Sequence, residues 1–317
     1  ELRAQPPLAL SALDLVLRNT ARRHAFRLDA TPPADWGQRL SLRGQLSEPL
    51  VSLGRKAGLP PWHNWAGQLY AELPHADVAH LRAYADLSDW GVQVQGGRGA
   101  LRVWGDVTGG RLAGVTADLD LQAVDARLGP GLPPLAIETL QGRLSANWSD
   151  EGFGLSTENL SLRTREGQVW PGGQLSLRHS RGRTGQPAST ALNAEQLDLA
   201  ALSALASHLP LSTATHGWLQ RLQPAGLVHA LSASWQGEAP GAGGYRAKGR
   251  VEGLALSGED SGQASAYGPY PVPGRPGIQG ATVAFEFDQS GGRAQVQVAD
   301  GALELPGVFD ERLLPLE

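Results

Sequence analysis

The best candidates for metal ligands in this chain are three histidines. His63, His75 and His80 lie close together in the sequence. The interval between His75 and His80 does not match the three or four residues that place two side chains on one helix face. The chain also has no cysteine, which excludes thiol catalysis and cysteine-bound zinc. We therefore predict no metal site.

Acidic residues and glycine-rich stretches fit turns and solvent-facing positions better than catalysis. Glu259 with Asp260, and Asp118 with Asp120, have the spacing of loop and strand-surface pairs. No GxSxG, HExxH, GxxxxGK(S/T) or EF-hand motif occurs. The stretch GGRGALRVWG lacks the lysine and the helix start of a phosphate-binding loop. We predict that the chain is not an enzyme and has no catalytic residue and no cofactor.

Composition and charge narrow the possible partners. The 27 basic and 31 acidic residues give a net charge of −4 and are not clustered, so nucleic-acid binding is not expected. The 41 glycines and 22 prolines suit many short strands joined by tight turns. No apolar run reaches the roughly 18 residues of a membrane span, so we expect any membrane anchor to lie outside this chain. Because the sequence contains no methionine, we expect it to be an internal segment of a longer protein.

Most of the sequence alternates between apolar and polar residues with a period of two, as β-strands do. RLSLRGQLS and ETLQGRLSANWS are two clear examples, and ADVAHLRAYADLS (76–88) is a candidate short helix. A slip of the pattern between Leu10 and Leu13 predicts a β-bulge. Turn spacing indicates roughly eighteen strands. The chain is therefore predicted to be a mostly β, antiparallel meander.

One segment departs from this period and has the pattern of two short helices followed by a strand. Asp198 can cap a first helix that stops at Pro210, and Ser212 or Thr213 can cap a second that carries Trp218. The apolar stripe of the first helix consists of Leu199, Leu202, Leu205 and Leu209. In the strand that follows, alternation predicts one side formed by Leu227, His229, Leu231, Ala233 and Trp235.

Two or three short helices cannot cover the apolar side of so many strands. Apolar surface left in water forgoes about 25 cal/mol of stabilisation per Å². The sheet must therefore fold onto itself as a sandwich, or curl into a trough whose interior holds an apolar ligand or partner. Nine tryptophans, mostly beside a glycine near a strand end, fit either packing at turns or the lining of such a groove.

Several segments, in their order along the chain, resemble a known family. They are PWHNWAGQLYAELPHADVAHL, GGRGALRVWGDV, LPPLAIETLQGRLSANWSDEGFGLSTENLSLRTREGQVWPGGQLSL, EQLDLAALSALASHLP with LQRLQPAGLVHALSASWQGE, and PGRPGIQGATVAFEFDQSGGRAQVQVADGALELPGVF. The most specific are the LDLAxLxxLAxxLP helix followed by LxPxGxV and SWxG, and the closing PGxxG and LPxVF patterns. With these segments the chain resembles the YhdP family of AsmA-like proteins over nearly its whole length.

The resemblance implies a Gram-negative cell-envelope protein, anchored to the inner membrane by a helix outside this chain. Such proteins extend through the periplasm as a long, curled β-sheet. They are thought to carry phospholipid toward the outer membrane through an apolar channel and so to serve outer membrane biogenesis. The implied partners are phospholipids and, through regions outside this chain, the inner and outer membranes. The family supplies no catalytic residue.

We therefore predict an elongated, curled, U-shaped antiparallel sheet with a short two-helix insert. Trough segments are predicted over 1–190 and 238–317, and the insert with its return strand over 191–237. The residues predicted to line a lipid groove are Leu42, Leu69, Val103, Leu119, Leu144, Leu177, Leu231, Val283 and Phe285. The residues predicted to plug part of that groove are Leu199, Leu202, Leu205 and Trp218. The alternative is a structural or tethering β-scaffold of the cell envelope without a lipid conduit.

Overall fold

The structure, a computed structural model, describes residues 9–48, 61–81, 91–237, 243–261, 272–308 and 314–316. Within these ranges the chain is mostly β, and its 16 strands form one antiparallel sheet that does not close on itself. The strands follow chain order, apart from one short strand that lies off this path. The predicted mostly β, antiparallel meander with a short helical insert is confirmed.

The first of two compact units spans Glu1–Gly167 and contains eight strands. They are β1 (Ser11–Asn19), β2 (Arg23–Thr31), β3 (Leu40–Ser47), β4 (Ala66–Asp77), β5 (Gln93–Thr108), β6 (Arg111–Arg127), β7 (Leu135–Ser149) and β8 (Gly152–Thr164). A 3-10 helix, Pro61–Asn64, precedes β4. The register shift between Ser11 and Asp14 confirms the predicted bulge in the first strand.

A short helix, α1 (Val78–Leu81), follows β4 and contacts β4 and β5. A helix was predicted over 76–88; Ala76 and Asp77 instead belong to β4, and residues 82–88 lie outside the described residues. Among the residues that the structure describes, no helix is long and apolar enough to cross a membrane.

The second unit spans Gln168–Glu317 and contains the helical insert between its third and fourth strands. Its strands are β9 (Val169–Trp170), β10 (Leu175–Ser180), β11 (Ser189–Asp198), β12 (Ala225–Gln236), β13 (Tyr245–Leu256), β14 (Gly277–Asp288), β15 (Gly291–Glu304) and β16 (Leu314–Leu316). The insert consists of α2 (Leu199–Leu205), a 3-10 turn (Ala206–His208) and α3 (Thr213–Leu222).

Both helices of the insert begin at residues whose side chains cap them, as predicted. The Asp198 carboxylate accepts a hydrogen bond from the Ala201 backbone N–H at 2.9 Å, and Ser212 Oγ accepts one from Thr215 at 3.1 Å. Each such cap is worth about 1 kcal/mol. α3 ends at Leu222, and the capping residue Gln223 adopts a left-handed conformation (φ 43°) immediately before Pro224. Local sequence therefore determines where this insert starts and stops.

The insert covers apolar residues of the second sheet unit and is tied down at its far end. Leu199 and Leu202 pack against a buried cluster formed by Ala194, Leu197, Val228 and Val251. Arg275 Nη2 donates hydrogen bonds to the carbonyl oxygens of Arg221, at 2.9 Å, and Ser257, at 3.1 Å. The C-terminal end of α3 is therefore held to the connection between β13 and β14.

In the first half of the return strand β12, the side chains point to the sides opposite to those predicted. Its register against β13 shifts between His229 and Ser232, and Ala230 has a φ of 49°, so β12 carries one extra residue there. Leu227 and His229 consequently point to the side opposite Leu231, and the prediction that all three share one side is wrong. The bulge instead turns Val228 toward the buried cluster beneath the insert.

Candidate functional site

Strand register places the five predicted groove residues of the first unit on one face of its sheet. Residues that pair directly across antiparallel strands point to the same side. One such row runs through Leu15, Leu28, Leu42, Ala71, Val103, Ala117 and Leu144. Leu69 and Leu119 lie two residues from members of this row on β4 and β6 and share its side. We call this side the apolar face of the first unit.

The apolar face of the first unit is covered at one end of its strands and open at the other. Leu121, near the end where α1 lies, is only 6% exposed, and beyond a bulge at Ala123 the side chains of Val124 and Ile137 are also buried. At the opposite end, where the tight β5–β6 and β7–β8 turns lie, Leu155 is 36% and Phe153 46% exposed. The five groove residues between these ends are half-buried.

The other side of the same strands carries a row of alternating charges. The row consists of Glu72, Arg102, Asp118, Arg143 and Glu158, one residue on each of β4 to β8. Arg102 lies 3.5 Å from Glu72, and Arg143 lies 2.6 Å from Asp118 and 3.6 Å from Glu158. Arg143 also lies over the Trp104 ring, 5.7 Å from its centroid. This polar face therefore meets water with its charges paired.

The Asp118–Arg143 pair makes stability depend on pH. The hydrogen bonds from Arg143 lower the pKa of Asp118 below its ordinary value of 3.8. A carboxylate whose pKa is lower in the folded chain stabilises the fold above the unfolded pKa and loses that contribution as pH falls through the folded pKa. Because the pair is partly solvated, water screens the attraction and the contribution to stability is small.

We expect the wild-type free energy of unfolding to fall more steeply below about pH 4 than that of Asp118→Asn. Urea unfolding followed by circular dichroism at several pH values measures the difference. Asp150→Asn is the control, since Asp150 is exposed in the turn between β7 and β8. Parallel pH profiles for wild type and Asp118→Asn would contradict the expectation.

The second unit has an apolar face of its own, which carries the remaining four groove residues. One row of directly paired residues runs through Leu177, Leu192, Ala233, Ala247 and Phe287. Leu231, Val283 and Phe285 share the side of this row because each lies an even number of residues from a member of it. The opposite side carries Ser176, Asn193, Ser232, Lys248, Glu286 and Arg293.

The helical insert overlies part of this second apolar face. Leu231 and Phe285 pack against the same buried cluster as Leu199 and Leu202. The predicted plug residue Leu205 is 4% exposed, whereas Trp218 on α3 is 52% exposed. Leu177 and Val283 are half-buried. The structure thus brings α2 onto the sheet and leaves Trp218 at the surface.

Neither unit gathers metal-binding side chains in the described ranges. Over residues 9–48, 61–81, 91–237, 243–261, 272–308 and 314–316, no group of three or more His, Asp or Glu residues could hold a metal ion. His80 stacks on Trp36, with 4.8 Å between ring centroids, and lies 3.7 Å from Asp35. What the arrangement offers is an apolar, partly open surface backed by a polar one.

The charged row of the polar face was not found from the sequence. Its members stand on five different strands, and each one alone looks like an ordinary solvent-facing residue. The pairing register brings them together, and register depends on the bulges and turns of every strand between them. Opposite charges at equivalent places of successive strands are the only available signal.

The chain matches a protein-family model over almost its whole length. The family model described as YhdP protein matches residues 3–316. No curated protein and no solved structure matches the chain. The family model covers almost every residue, including the helical insert and both sheet units. The chain therefore belongs to the YhdP family of AsmA-like proteins.

Proposed function

We propose that this chain is a segment of a bridge-like lipid transport protein, which shields phospholipid acyl chains between the inner and outer membranes of a Gram-negative cell. In this proposal the protein works in the periplasm and is anchored to the inner membrane. The acyl chains lie against the apolar faces, and no covalent chemistry takes place. Membership of the YhdP family supports this setting.

The observation that carries the proposal is that the apolar face of each unit is only partly buried by the protein itself. All nine predicted groove residues are half-buried. The apolar row of the first unit crosses seven strands and stays partly open. Replacing the water on it by an apolar ligand lowers the free energy. An acyl chain has the chemistry to do so.

The two sides of the first unit's sheet differ enough to select where an apolar ligand binds. The apolar face presents leucine, valine and alanine, whereas the polar face presents the ion-paired row from Glu72 to Glu158. A lipid tail on the polar face would strip water from these charges, which costs free energy. The ligand is therefore confined to the apolar face.

A tethering scaffold is the alternative, and it makes a different demand on the sheet. Its sheet would have a core filled by its own side chains, with large residues fully buried. The half-buried state of Leu42, Val103 and Leu144 favours a surface that an added ligand completes. A tethering scaffold does not require a partly open apolar surface.

A photo-crosslinking amino acid at Leu144 tests the proposal in cells. Because Leu144 points to the apolar face, we expect this position to capture phospholipid on irradiation. The matched control is Ser145, the next residue on β7, which points to the polar face and is likewise half-buried. Mass spectrometry of the purified protein identifies the captured molecule. Equal phospholipid labelling at both positions, or none at Leu144, would overturn the proposal.

A further inference from the structure

A row of hydrogen-bonding side chains interrupts the apolar face of the second unit at the end of the strands where β10 leads to β11 and β12 leads to β13. The row consists of His179, Thr190, Trp235 and Tyr245, which pair directly across β10, β11, β12 and β13. It lies two residues beyond the apolar row that contains Leu177 and Ala233, and it points to the same side. We call it the donor row.

Trp235 and Tyr245 are the members of the donor row that can offer polar hydrogen atoms to a ligand, because His179 and Thr190 are hydrogen-bonded to each other. Trp235 Nε1 is buried and has no hydrogen-bond partner among the described residues, although an indole N–H can only donate. His179 Nδ1 lies 3.0 Å from Thr190 Oγ1. Tyr245, at the end of the row, is exposed and carries a hydroxyl. A buried donor left without an acceptor costs about 1 to 3 kcal/mol, which a bound acceptor would recover.

The opposite end of the same face has the reverse character. There the insert covers Ala194, Leu197, Val228 and Val251, and all four are apolar and buried. A charged or strongly polar group placed among them would lose its water without gaining a partner. The face therefore has a polar end at the donor row and an apolar end beneath the insert.

The distance between these ends suits an acyl chain. Leu231 packs at the edge of the covered cluster, and Trp235 lies four residues further along β12, which is about 13 Å in an extended strand. One leaflet of a bilayer has a hydrocarbon layer of about 15 Å. An acyl chain lying along the strand would thus run from the donor row to the edge of the insert.

We propose that the donor row binds the oxygen acceptors of a phospholipid head, from its phosphate or its ester carbonyls, while the tails run along the strands toward the helical insert. This inference rests on the proposed function and adds the orientation of the lipid and the residues that hold its head. Trp and Tyr suit this place because each joins an apolar ring to a polar group, as at a membrane interface.

Two photoreactive phosphatidylcholines test the orientation on the whole chain, one with a diazirine in the head and one with a diazirine at the end of a tail. We expect the head probe to label Tyr245 and His179, and the tail probe to label Leu231 and Phe285, with fragmentation mass spectra assigning each label to its residue. Reversed labelling, or equal labelling of both ends by both probes, would overturn the orientation and leave the proposed function standing. If neither probe labelled the chain, both the orientation and the proposed function would be overturned.

Removing the indole donor tests the row itself. We expect Trp235→Phe to weaken phosphatidylcholine binding about 2- to 10-fold, the effect of one hydrogen bond. Binding of hexadecane, which has no head, should stay unchanged, and this shows that the apolar face is intact. Ser234→Ala, on the opposite side of β12, is the matched control and should leave both ligands unaffected. Equal loss of both ligands in Trp235→Phe, or no loss of phosphatidylcholine, would contradict the role of the row.

Discussion

Phospholipid binding is expected to fall roughly 100-fold when Leu144 is replaced by aspartate. Leu144 lies in the middle of the apolar face of the first unit, in the same paired row as Val103 and Ala117. A carboxylate in contact with lipid tails costs about 2.5 to 3.5 kcal/mol, and each 1.4 kcal/mol is a tenfold change in affinity. Without lipid the new carboxylate meets water, because Leu144 is only half-buried.

The measurement is the affinity of the purified chain for a fluorescent phosphatidylcholine, with circular dichroism as the check on folding. Ser145→Asp is the matched control, since it adds the same charge one residue away on the polar face. We expect this control to keep wild-type affinity. If Ser145→Asp lost as much affinity as Leu144→Asp, or if neither variant lost any, the apolar face of the first unit would not be the binding surface.

Truncating the buried face of the insert should strongly destabilise the fold. Leu205 is 4% exposed at the end of α2, so Leu205→Ala removes buried methyl groups and leaves a cavity. Substitutions of this kind cost about 2 to 5 kcal/mol. Trp218→Ala serves as the control because its ring is 52% exposed, and we expect a change within about 0.5 kcal/mol.

Urea unfolding of both variants measures these free energies. A loss for Trp218→Ala as large as that for Leu205→Ala would mean that the exposed side of α3 carries structural contacts in solution. The expected result identifies the insert as a packed cover of the second apolar face. The hydrogen bonds from Arg275 to the end of α3 agree with a cover that stays in place.

Much of the local structure could be predicted because it depends on neighbouring residues. The caps at Asp198 and Ser212 follow from side chains that reach backbone N–H groups three residues ahead. The alternation through Leu140, Leu144 and Trp148 predicted one face of β7, and the register confirms it. Both signals lie within a few residues of the feature they specify.

Alternation failed where a bulge added a residue. In β12 the extra residue near Ala230 reverses the sides of Leu227, Val228 and His229. Nothing in LVHALSASW marks this change, since either side of the strand can be read as partly apolar. The bulge is favoured because it buries Val228 beneath the insert, and that contact involves α2, which lies far from Val228 in the unfolded chain.

By itself the sequence determined the strand-rich class, the two capped helices and the division of most strands into an apolar and a polar side. These features depend on periodicity and on hydrogen bonds between near neighbours. Only the tertiary structure decided that Glu72, Arg102, Asp118 and Arg143 form one charged row, that each apolar face is covered at one end, and that Trp235 joins His179 and Tyr245. All three depend on which strands pair and in what register, and register is settled by contacts between residues that are distant along the chain.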